Sequence, residues 1–532
     1  MAFLTIGDCE SSLDRPVDRR TFGALLRDRH AEELKYEATE AFAAQCPRES
    51  ARNLLLSSSV RSALITAVLV IAALIALSPR LVMASAMLLV LAYFFGVAAV
   101  RLFLTVIACF QPKPQERRAL DDADLPIITI LAPLFREAHA LPGLVQAISR
   151  LDYPADRLDV KLILEQHDRE TIKEANRLNL DSRFDLIIVP PSHPQTKPKA
   201  CIYGLACAHG DLIVIYDAED EPSPDQLRTA AEIFSDADDC LACVQARLNY
   251  YNPDENWLTR LFTLEYCLWF DHFLPALERL GAPIPLGGTS NIFRTDILVD
   301  VGGWDPHNVT EDADLGLRLA RRGYRTTVID STTLEEANCK TGNWMRQRSR
   351  WMKGFMQTWL VHCRNRTARD DWQLFIAVDL FVGGTAFAAL LIPFLWAAVL
   401  VEWQFGVSLL DPFPQQLKSA TAAALIAGNL SCMVLAAYAP IRRGLARLSP
   451  AALLTPVYWI MMSIAAWIAL WQLLHRPSFW EKTDHGLSGE AKARRSAALD
   501  AFGLECDPAA RQIAADEESA QQKRARPGTT AE

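Results

Sequence analysis

The uneven distribution of apolar residues is the feature that most constrains this chain. Two blocks, 62–110 and 374–474, carry long uncharged stretches, whereas residues 111–373 have the mixed composition of a globular domain. An α-helix rises about 1.5 Å per residue, so about 20 apolar residues cross the hydrocarbon core of a bilayer. The sequence therefore predicts membrane helices on both sides of a soluble insert.

The first apolar block predicts a helical hairpin. Residues 62–78 are uncharged, and the run from Leu81 to Phe110 contains a single charged residue, Arg101, whose long side chain can reach an interface. The turn at Pro79 and Arg80 is short, so both flanks of the hairpin are expected on the same side of the membrane.

The second block contains three uncharged runs, 380–401, 419–439 and 451–474. The connector before the last run carries three arginines, whereas the preceding connector has two acids and one base. By the positive-inside rule, the arginine connector and the insert face the cytosol. The last run contains Pro456, Trp459, Trp467 and Trp471, and such a stretch can cross the membrane or lie in its interface. Four or five spans are predicted, and the side of the C-terminal tail stays open.

The chain of 532 residues suits two or three structural units, and its net charge of −9 argues against general nucleic-acid binding. Between residues 126 and 330, short β-branched runs alternate with helical stretches. This alternation predicts a mostly parallel sheet with helices on both faces, whose ligands bind beyond the carboxyl ends of the strands.

An acidic cluster follows the apolar run 212–216, in the order Asp217, Ala218, Glu219, Asp220. Crowded carboxylates repel one another unless a cation lies among them, and hard oxygen ligands suit Mg²⁺ or Mn²⁺. The alternative is a solvated acidic turn that opens a helix, with Ser223 or Asp225 as its cap.

Two more clusters follow. The triplet Thr310-Glu311-Asp312 precedes a helical pattern, and alone it would be an ordinary helix N-cap. Residues Gln347 to Trp351 belong to a basic helix next to the second apolar block, and alone they would suit an interfacial helix.

Taken together over residues 126–354, the order and spacing of these clusters resemble the inverting, cellulose synthase-like glycosyltransferases of family 2. The helices on both sides of the insert resemble that family too. The resemblance implies an α/β catalytic domain of the GT-A type, which is Rossmann-like, inserted between transmembrane α-helices.

The resemblance also implies roles for five residues of the catalytic clusters. Asp312, with Glu311 beside it, is the expected general base that takes the proton of the acceptor hydroxyl. Arg350 is expected to neutralise charge on the departing diphosphate. Trp351 is expected to stack on the acceptor sugar, and Gln347 is expected to position that same acceptor end.

The same resemblance assigns the nucleotide and metal contacts. Asp168 is expected at the uracil end, Glu137 in the segment that lines the base, and Lys199 at a phosphate. Asp217 is expected to bind the metal, together with Glu219 or Asp220. The loop 285–291, with Gly287 and Gly288, resembles the acceptor-binding loop.

The predicted domains are a cytosolic N-terminal segment (1–60), a transmembrane hairpin (61–110), the GT-A domain (111–373) with an interfacial helix at 343–373, C-terminal membrane or interfacial helices (374–474), and a polar tail (475–532). Residues 479–486 of the tail resemble a gating segment, and this resemblance implies Lys482 as a candidate contact to a phosphate.

The predicted activity is transfer of a hexose or N-acetylhexosamine from a UDP-sugar at the inner membrane. The leading hypothesis is processive exopolysaccharide synthesis onto a growing chain, with export or regulatory partners. One alternative is a glycolipid synthase with a membrane lipid as acceptor, and another is a non-enzymatic membrane protein such as a transporter or scaffold.

Overall fold

A computed structural model describes residues 27, 29–54, 58–110, 118–367, 371–406 and 414–504. Those parts of the predicted N-terminal segment and tail that fall at 1–26 and 505–532 lie outside the described residues.

Eight strands form one sheet. They are β1 (Ile128–Leu134), β2 (Leu158–Glu165), β3 (Phe184–Val189), β4 (Leu212–Ile215), β5 (Glu221–Pro222), β6 (Leu241–Tyr250), β7 (Asn291–Arg294) and β8 (Arg325–Glu335).

The helices are α1 (Ala31–Tyr36), α2 (Phe42–Gln45), α3 (Ser58–Leu77), α4 (Pro79–Cys109), α5 (Leu141–Ser149), α6 (Arg169–Arg177), α7 (Lys197–Leu205), α8 (Gln226–Asp236), α9 (Trp257–Leu268), α10 (Leu274–Arg279), α11 (Thr295–Asp300), α12 (Glu311–Arg321), α13 (Thr341–Arg364), α14 (Trp372–Phe375), α15 (Gly383–Phe405), α16 (Gln415–Tyr438), α17 (Thr455–His475) and α18 (Gly489–Ala501).

The strand order is β3-β2-β1-β4-β7-β6-β8-β5. The first four strands are parallel, as predicted, because α5, α6 and α7 return the chain across a face of the sheet between one strand and the next. Beyond β4 the sheet is mixed: β7 runs antiparallel between β4 and β6, and β8 is parallel to β6. A mixed sheet of this kind, covered on both faces, confirms the predicted α/β fold class.

Two apolar cores lie on the two faces of the sheet. One is formed with α5, α6 and α8 and contains Val160 and Val214. The other packs α7 and α9 against the sheet and continues into α13 and α17, with Met352 and Ala466 fully buried. The catalytic domain and the C-terminal helices therefore share one continuous core.

Three stretches in the described part of the chain are long and apolar enough to cross a membrane: Pro79–Cys109, Trp372–Leu391 and Ala446–His475. Helices α3 and α16 coincide with two further predicted runs. Of the range 343–373, predicted to be an interfacial helix, the part up to Arg364 belongs to α13.

Candidate active site

The acidic turn after β4 is organised by Asp220. This side chain is buried and accepts hydrogen bonds from the backbone N–H of Asp217, at 2.7 Å, and from the Thr289 hydroxyl. Burial, together with the neighbouring Asp217 and Glu219, raises the pKa of Asp220 well above its usual range. Asp220 therefore fastens the turn to the loop before β7.

Asp217 and Glu219 instead pair with cationic side chains from other elements. Lys197 Nζ lies 2.5 Å from Asp217 Oδ1, and His485 Nδ1 lies 2.8 Å from Glu219 Oε1. Burial opposes charge on His485, but Glu219 outweighs burial and raises the pKa of His485 to about 9. The two carboxylates of the turn are thus paired with the Lys197 and His485 side chains at the edge of the cleft.

The two lysines at the start of α7 have different partners. Lys197, at the first helical position, also donates to the carbonyl of Gly288 at 2.6 Å. Lys199 is fully buried, with Nζ 2.7 Å from Glu165 Oε1. Two residues along a helix correspond to a rotation of about 200°. The structure therefore places Lys197 at the acidic turn and Lys199, the predicted phosphate contact, in a buried ion pair.

Glu311 and Asp312 begin α12. Burial raises the pKa of Asp312 to about 6, and burial together with Asp312 raises the pKa of Glu311. The backbone N–H of Ala313 donates to Asp312 Oδ1 at 2.8 Å. A methyl group added at Gly288 would lie 3.4 Å from Asp312 Oδ2, so the predicted acceptor loop faces this carboxylate directly.

Helix α13 brings Arg350 to the same cleft. The charge of Arg350 interacts with Asp217, Glu219, Glu311 and Asp312, so the acidic turn, the start of α12 and α13 converge. Contacts link the same groups: Lys197 joins Asp217 to the Gly288 loop that faces Asp312, and Arg350 donates to the carbonyl of Glu481, four residues before the His485 that pairs with Glu219.

The rest of the predicted motif on α13 lies beside this cleft. Trp351 stacks on Tyr266, with ring centroids 6.3 Å apart, and meets Phe262 edge-on at 6.0 Å. Gln347 Oε1 accepts a hydrogen bond from Asn338 Nδ2 at 2.9 Å. Trp351 is thus held within an aromatic cluster, and Gln347 is fixed to the segment after β8.

The predicted nucleotide residues follow β1 and β2. Asp168 caps α6, accepting from the Thr171 hydroxyl at 2.7 Å and from the backbone N–H of Arg136. Glu137 is buried and pairs with Lys482. Asp168 therefore shapes the loop after β1, and Glu137 lies under the C-terminal tail.

A C-terminal strap, residues 477–488, crosses the cleft along α13. Three side chains of α13 donate to alternate carbonyls of the strap: Gln357 to Pro477 at 3.0 Å, Lys353 to Phe479, and Arg350 to Glu481 at 3.1 Å. The Arg350 guanidinium also lies over the Trp480 ring, with Cζ 5.1 Å from the centroid. The predicted gating segment 479–486 thus contacts α13, the loop after β1 and the acidic turn.

In the described part of the chain, no three His, Cys, Asp or Glu side chains are arranged as a ready metal-binding cluster. In the acidic turn, the side chains of Asp217 and Glu219 point to the cleft, whereas the side chain of Asp220 points into the turn itself.

Sequence reasoning missed three contributors to the site. Lys197 and His485 stand in segments that the sequence singles out, but which lysine reaches the turn depends on the orientation of α7. Gly354 is the third: a methyl group there would come within 2.3 Å of Thr310, so glycine allows α13 to approach the Thr310-Glu311-Asp312 triplet. The signal for Gly354 was a glycine in the interior of a helical pattern.

Comparison with known proteins gives a consistent result. Residues 212–476 match the family model described as glycosyl transferase family group 2. The chain is 26% identical over 274 residues to a probable glycosyltransferase, YdaM, of Bacillus subtilis (strain 168), covering 49% of this chain and 64% of that protein. It is 26% identical over 252 residues to glucomannan 4-beta-mannosyltransferase 1 of Oryza sativa subsp. japonica, covering 46% and 48%. The chain thus spans about half to two thirds of the length of these relatives.

Among solved structures, the fold is similar to the mannosyltransferase PcManGT from Pyrobaculum calidifontis, which was solved in complex with GDP-Man and Mn²⁺. The TM-score is 0.50 at 19% identity, over 74% of this chain and 99% of that one. This likeness confirms the GT-A fold, and the family match decides against the non-enzymatic alternative. Together the comparisons support a family 2 glycosyltransferase of the cellulose synthase-like kind, and apolar helices flank its GT-A domain.

Proposed function

We propose that the protein is an inverting hexosyltransferase that uses a nucleotide-diphosphate sugar. The observation that carries the proposal is the convergence of Asp217, Asp312 and Arg350 on one cleft, where Lys197 joins Asp217 to the loop facing Asp312 and the charge of Arg350 acts on all of these carboxylates. Inversion by direct displacement needs one base for the acceptor hydroxyl and stabilisation of the leaving diphosphate.

The chain supplies both functions. Asp312, in its ionised form, accepts the proton of the acceptor hydroxyl while that oxygen attacks the anomeric carbon and the bond to the diphosphate breaks. Arg350 and Lys197 neutralise charge on the departing diphosphate. Trp351, braced by Tyr266, supplies an apolar face on which the acceptor sugar stacks.

The residues of the acidic turn fit a divalent cation. Mg²⁺ and Mn²⁺ are commonly held by one or two carboxylates together with substrate phosphates. Asp217 and Glu219 point to the cleft, whereas Asp220 is engaged within the turn. When bound, the cation would supply positive charge to the leaving diphosphate, with Asp217 and Glu219 as its protein ligands.

The donor is proposed in two steps. Relatives named glucomannan mannosyltransferases and a neighbour solved with GDP-Man favour GDP-mannose as the first donor to test. The UDP-sugars expected from the sequence are the second set. The test is incubation of the purified protein with GDP-mannose, UDP-glucose, UDP-galactose and UDP-N-acetylglucosamine, with Mg²⁺ or Mn²⁺ or with EDTA.

We expect one donor to release its nucleoside diphosphate in a metal-dependent way and to give a product with inverted anomeric configuration by NMR. Retention of configuration, or no release from any donor, would contradict the proposal.

Two acceptors are supported by different observations. A growing polysaccharide suits helices on both sides of the catalytic domain and the aromatic cluster around Trp351. A membrane lipid is favoured by α17, which packs against α13 through its buried face and exposes an apolar face on its other side. Extraction of the labelled product separates them, because a long polymer is insoluble in chloroform and a glycolipid dissolves in it.

For the membrane arrangement, we propose that α17 lies in the plane of the membrane, against α13. Just before α17, Arg443 pairs with Asp271 and Arg447 with Asp254, at 2.5 and 2.7 Å. Just after it, the Pro477 carbonyl accepts from Gln357. A helix of 21 residues is about 30 Å long, so a crossing helix would carry one end away from the domain.

The exposed face of α17 has the composition that such a position requires. Before His475, which ends the helix, its exposed side chains are all apolar or aromatic and follow a helical spacing: Val457, Ile460, Ile464, Trp467, Ile468, Trp471 and Leu474. Its opposite face, including Ala465, Ala466 and Ala469, is buried. Tryptophan favours the membrane–water interface. In this arrangement the tail stays on the side of the catalytic domain. The arginine connector supports the proposal that this side is the cytosol and that the helices lie in the inner membrane.

A further inference from the structure

The N-terminal residues 31–54 are polar and helix-prone, and the sequence assigns them no chemistry. In the structure they pack on three elements of the catalytic cleft. Leu34 and Ala38 enter the core formed with α7. Phe42 lies under the Arg318 guanidinium of α12, at 4.7 Å, and Arg364 of α13 donates to the carbonyl of Arg48 at 2.6 Å. The segment therefore fastens together the helices that carry Lys197, Asp312 and Arg350.

A fully buried contact with this segment is made by Asp305, in the loop that leads into α12. Asp305 is fully buried. It accepts three hydrogen bonds: from the Ser50 hydroxyl at 3.1 Å, the Ala51 backbone N–H at 2.5 Å, and the His307 backbone N–H at 3.1 Å. Nearby, His307 Nε2 lies 3.2 Å from the carbonyl oxygen of Thr39. The carboxylate thus joins the N-terminal segment to the loop.

The loop transmits this attachment to the base. The Asn308 backbone N–H donates to the Asp305 carbonyl at 3.2 Å, and the Thr310 backbone N–H donates to the Asn308 side chain at 3.1 Å. Asn308 also donates to Thr358 of α13 at 2.9 Å. Residues 304–310 are all buried and closely packed. A shift of Asp305 therefore moves the residues that follow it, including Asp312.

We propose that Asp305 is a positioning residue for the base, and that residues 31–54 act through it as a clamp that holds Asp312 in register with Arg350. This inference rests on the proposed function, since it takes Asp312 as the base. A displacement of about 1 Å at a reacting group can cost about a hundredfold in rate, so loosening this clamp acts on turnover more than on donor binding.

The test compares four variants of the full-length protein: Asp305→Asn, Ser50→Ala, Ser50→Thr and Arg52→Gln. Asp305→Asn replaces one acceptor oxygen by an N–H donor, and Ser50→Ala removes one donor. Ser50→Thr keeps the hydroxyl. Arg52 pairs with Glu40 inside the segment, at the exposed surface, and serves as the matched control.

We expect Asp305→Asn and Ser50→Ala to lower kcat by about tenfold or more, with the donor dissociation constant within about twofold of the parent protein. The acid limb of the kcat profile, set by Asp312, should shift in the same two variants. Ser50→Thr and Arg52→Gln should keep the parent kcat and profile.

Parent kcat in both folded variants, or a loss of kcat in Arg52→Gln equal to theirs, would overturn the clamp. Should Asp305→Asn fail to fold, Ser50→Ala carries the test alone. Asp312→Asn separates the two hypotheses: if it is inactive while Asp305→Asn and Ser50→Ala are fully active, only the clamp fails, and if it is active, the proposed base fails.

Discussion

The carboxyl group of Asp312 is both the proposed base and a group whose pKa is changed by burial. Burial raises its pKa to about 6, above the ordinary aspartate range. A general base must be ionised, so lowering the pH through this pKa removes activity and raising it restores activity. We expect kcat at saturating donor to fall about tenfold per unit below about pH 6, measured by release of nucleoside diphosphate.

The control for this profile is Asp312→Asn, which keeps the shape of the side chain and cannot take a proton. Its turnover should be lost across the whole pH range, while nucleotide affinity, measured by calorimetry, stays close to that of the parent protein. An unchanged acid limb in a still active Asp312→Asn protein would assign the limb to another group.

Lys197 and Lys199 are close in sequence, but we expect their substitution to have different effects, on donor binding for Lys197 and on stability for Lys199. Lys197→Met should weaken donor binding about tenfold, because a partly exposed ammonium group beside Asp217 is removed. Lys199→Met should leave Glu165 buried without its cation and cost about 3–5 kcal/mol of stability.

Thermal unfolding and nucleotide titration on the same preparations measure both effects. The double variant Glu165→Gln with Lys199→Met should recover most of the lost stability, because no unpaired charge is left. If the double variant is as stable as the parent protein but binds the donor more weakly, Lys199 contacts the donor directly.

These two lysines show how far sequence reasoning reaches at single residues. Asp217, Asp312 and Arg350 could be proposed from the sequence because each stands in a short motif of characteristic order. The choice between Lys197 and Lys199, or between Glu219 and Asp220, depends on which way a side chain points from its helix or turn. That direction is set by packing against distant segments, such as the loop at Gly288 and the strap at His485.

At the scale of elements, the spacing between α12 and α13 depends on Gly354. Gly354→Ala would place a methyl group within 2.3 Å of the Thr310 side chain, so the two helices must separate. We expect a loss of kcat of about tenfold to a hundredfold, because Asp312 and Arg350 lie on opposite sides of this contact.

Gly342 on the same helix is the matched control, since a methyl group there meets no atom within 4 Å. Gly342→Ala should keep full activity and, through its better helix propensity, the same or higher stability in a thermal melt. Equal activity of the two alanine variants would show that the close approach at Thr310 has no catalytic consequence.

Strands with a strong local sequence pattern were predicted well, but the order in which the strands join in the sheet was not. The β-branched runs at 126–134 and 159–165 became β1 and β2, because alternation with helices is visible along the chain. The insertion of β7 between β4 and β6 was not foreseen. It joins strands that are far apart in sequence, and no local propensity records such a pairing.

At the scale of the whole molecule, hydropathy and tertiary contact disagree about α17. Length and composition qualify it as a membrane span, yet both of its flanks are tied to the catalytic domain. The tail agrees with the contacts: Arg494 of α18 pairs with Glu221 and lies over Tyr251 at 4.5 Å. A tail that packs on the catalytic domain requires an even number of crossings between α13 and the strap.

This requirement gives a topology that can be measured. With α15 and α16 as a hairpin and α17 in the plane, a reporter fused after Leu504 should lie on the cytosolic side, and one inserted after Gly406 on the opposite side. Green fluorescent protein and alkaline phosphatase fusions, read in the same host, distinguish the two sides, because each is active on only one. Phosphatase activity after Leu504 would mean that α17 crosses the membrane, and the strap could then not reach Arg350 from the side on which the donor is bound.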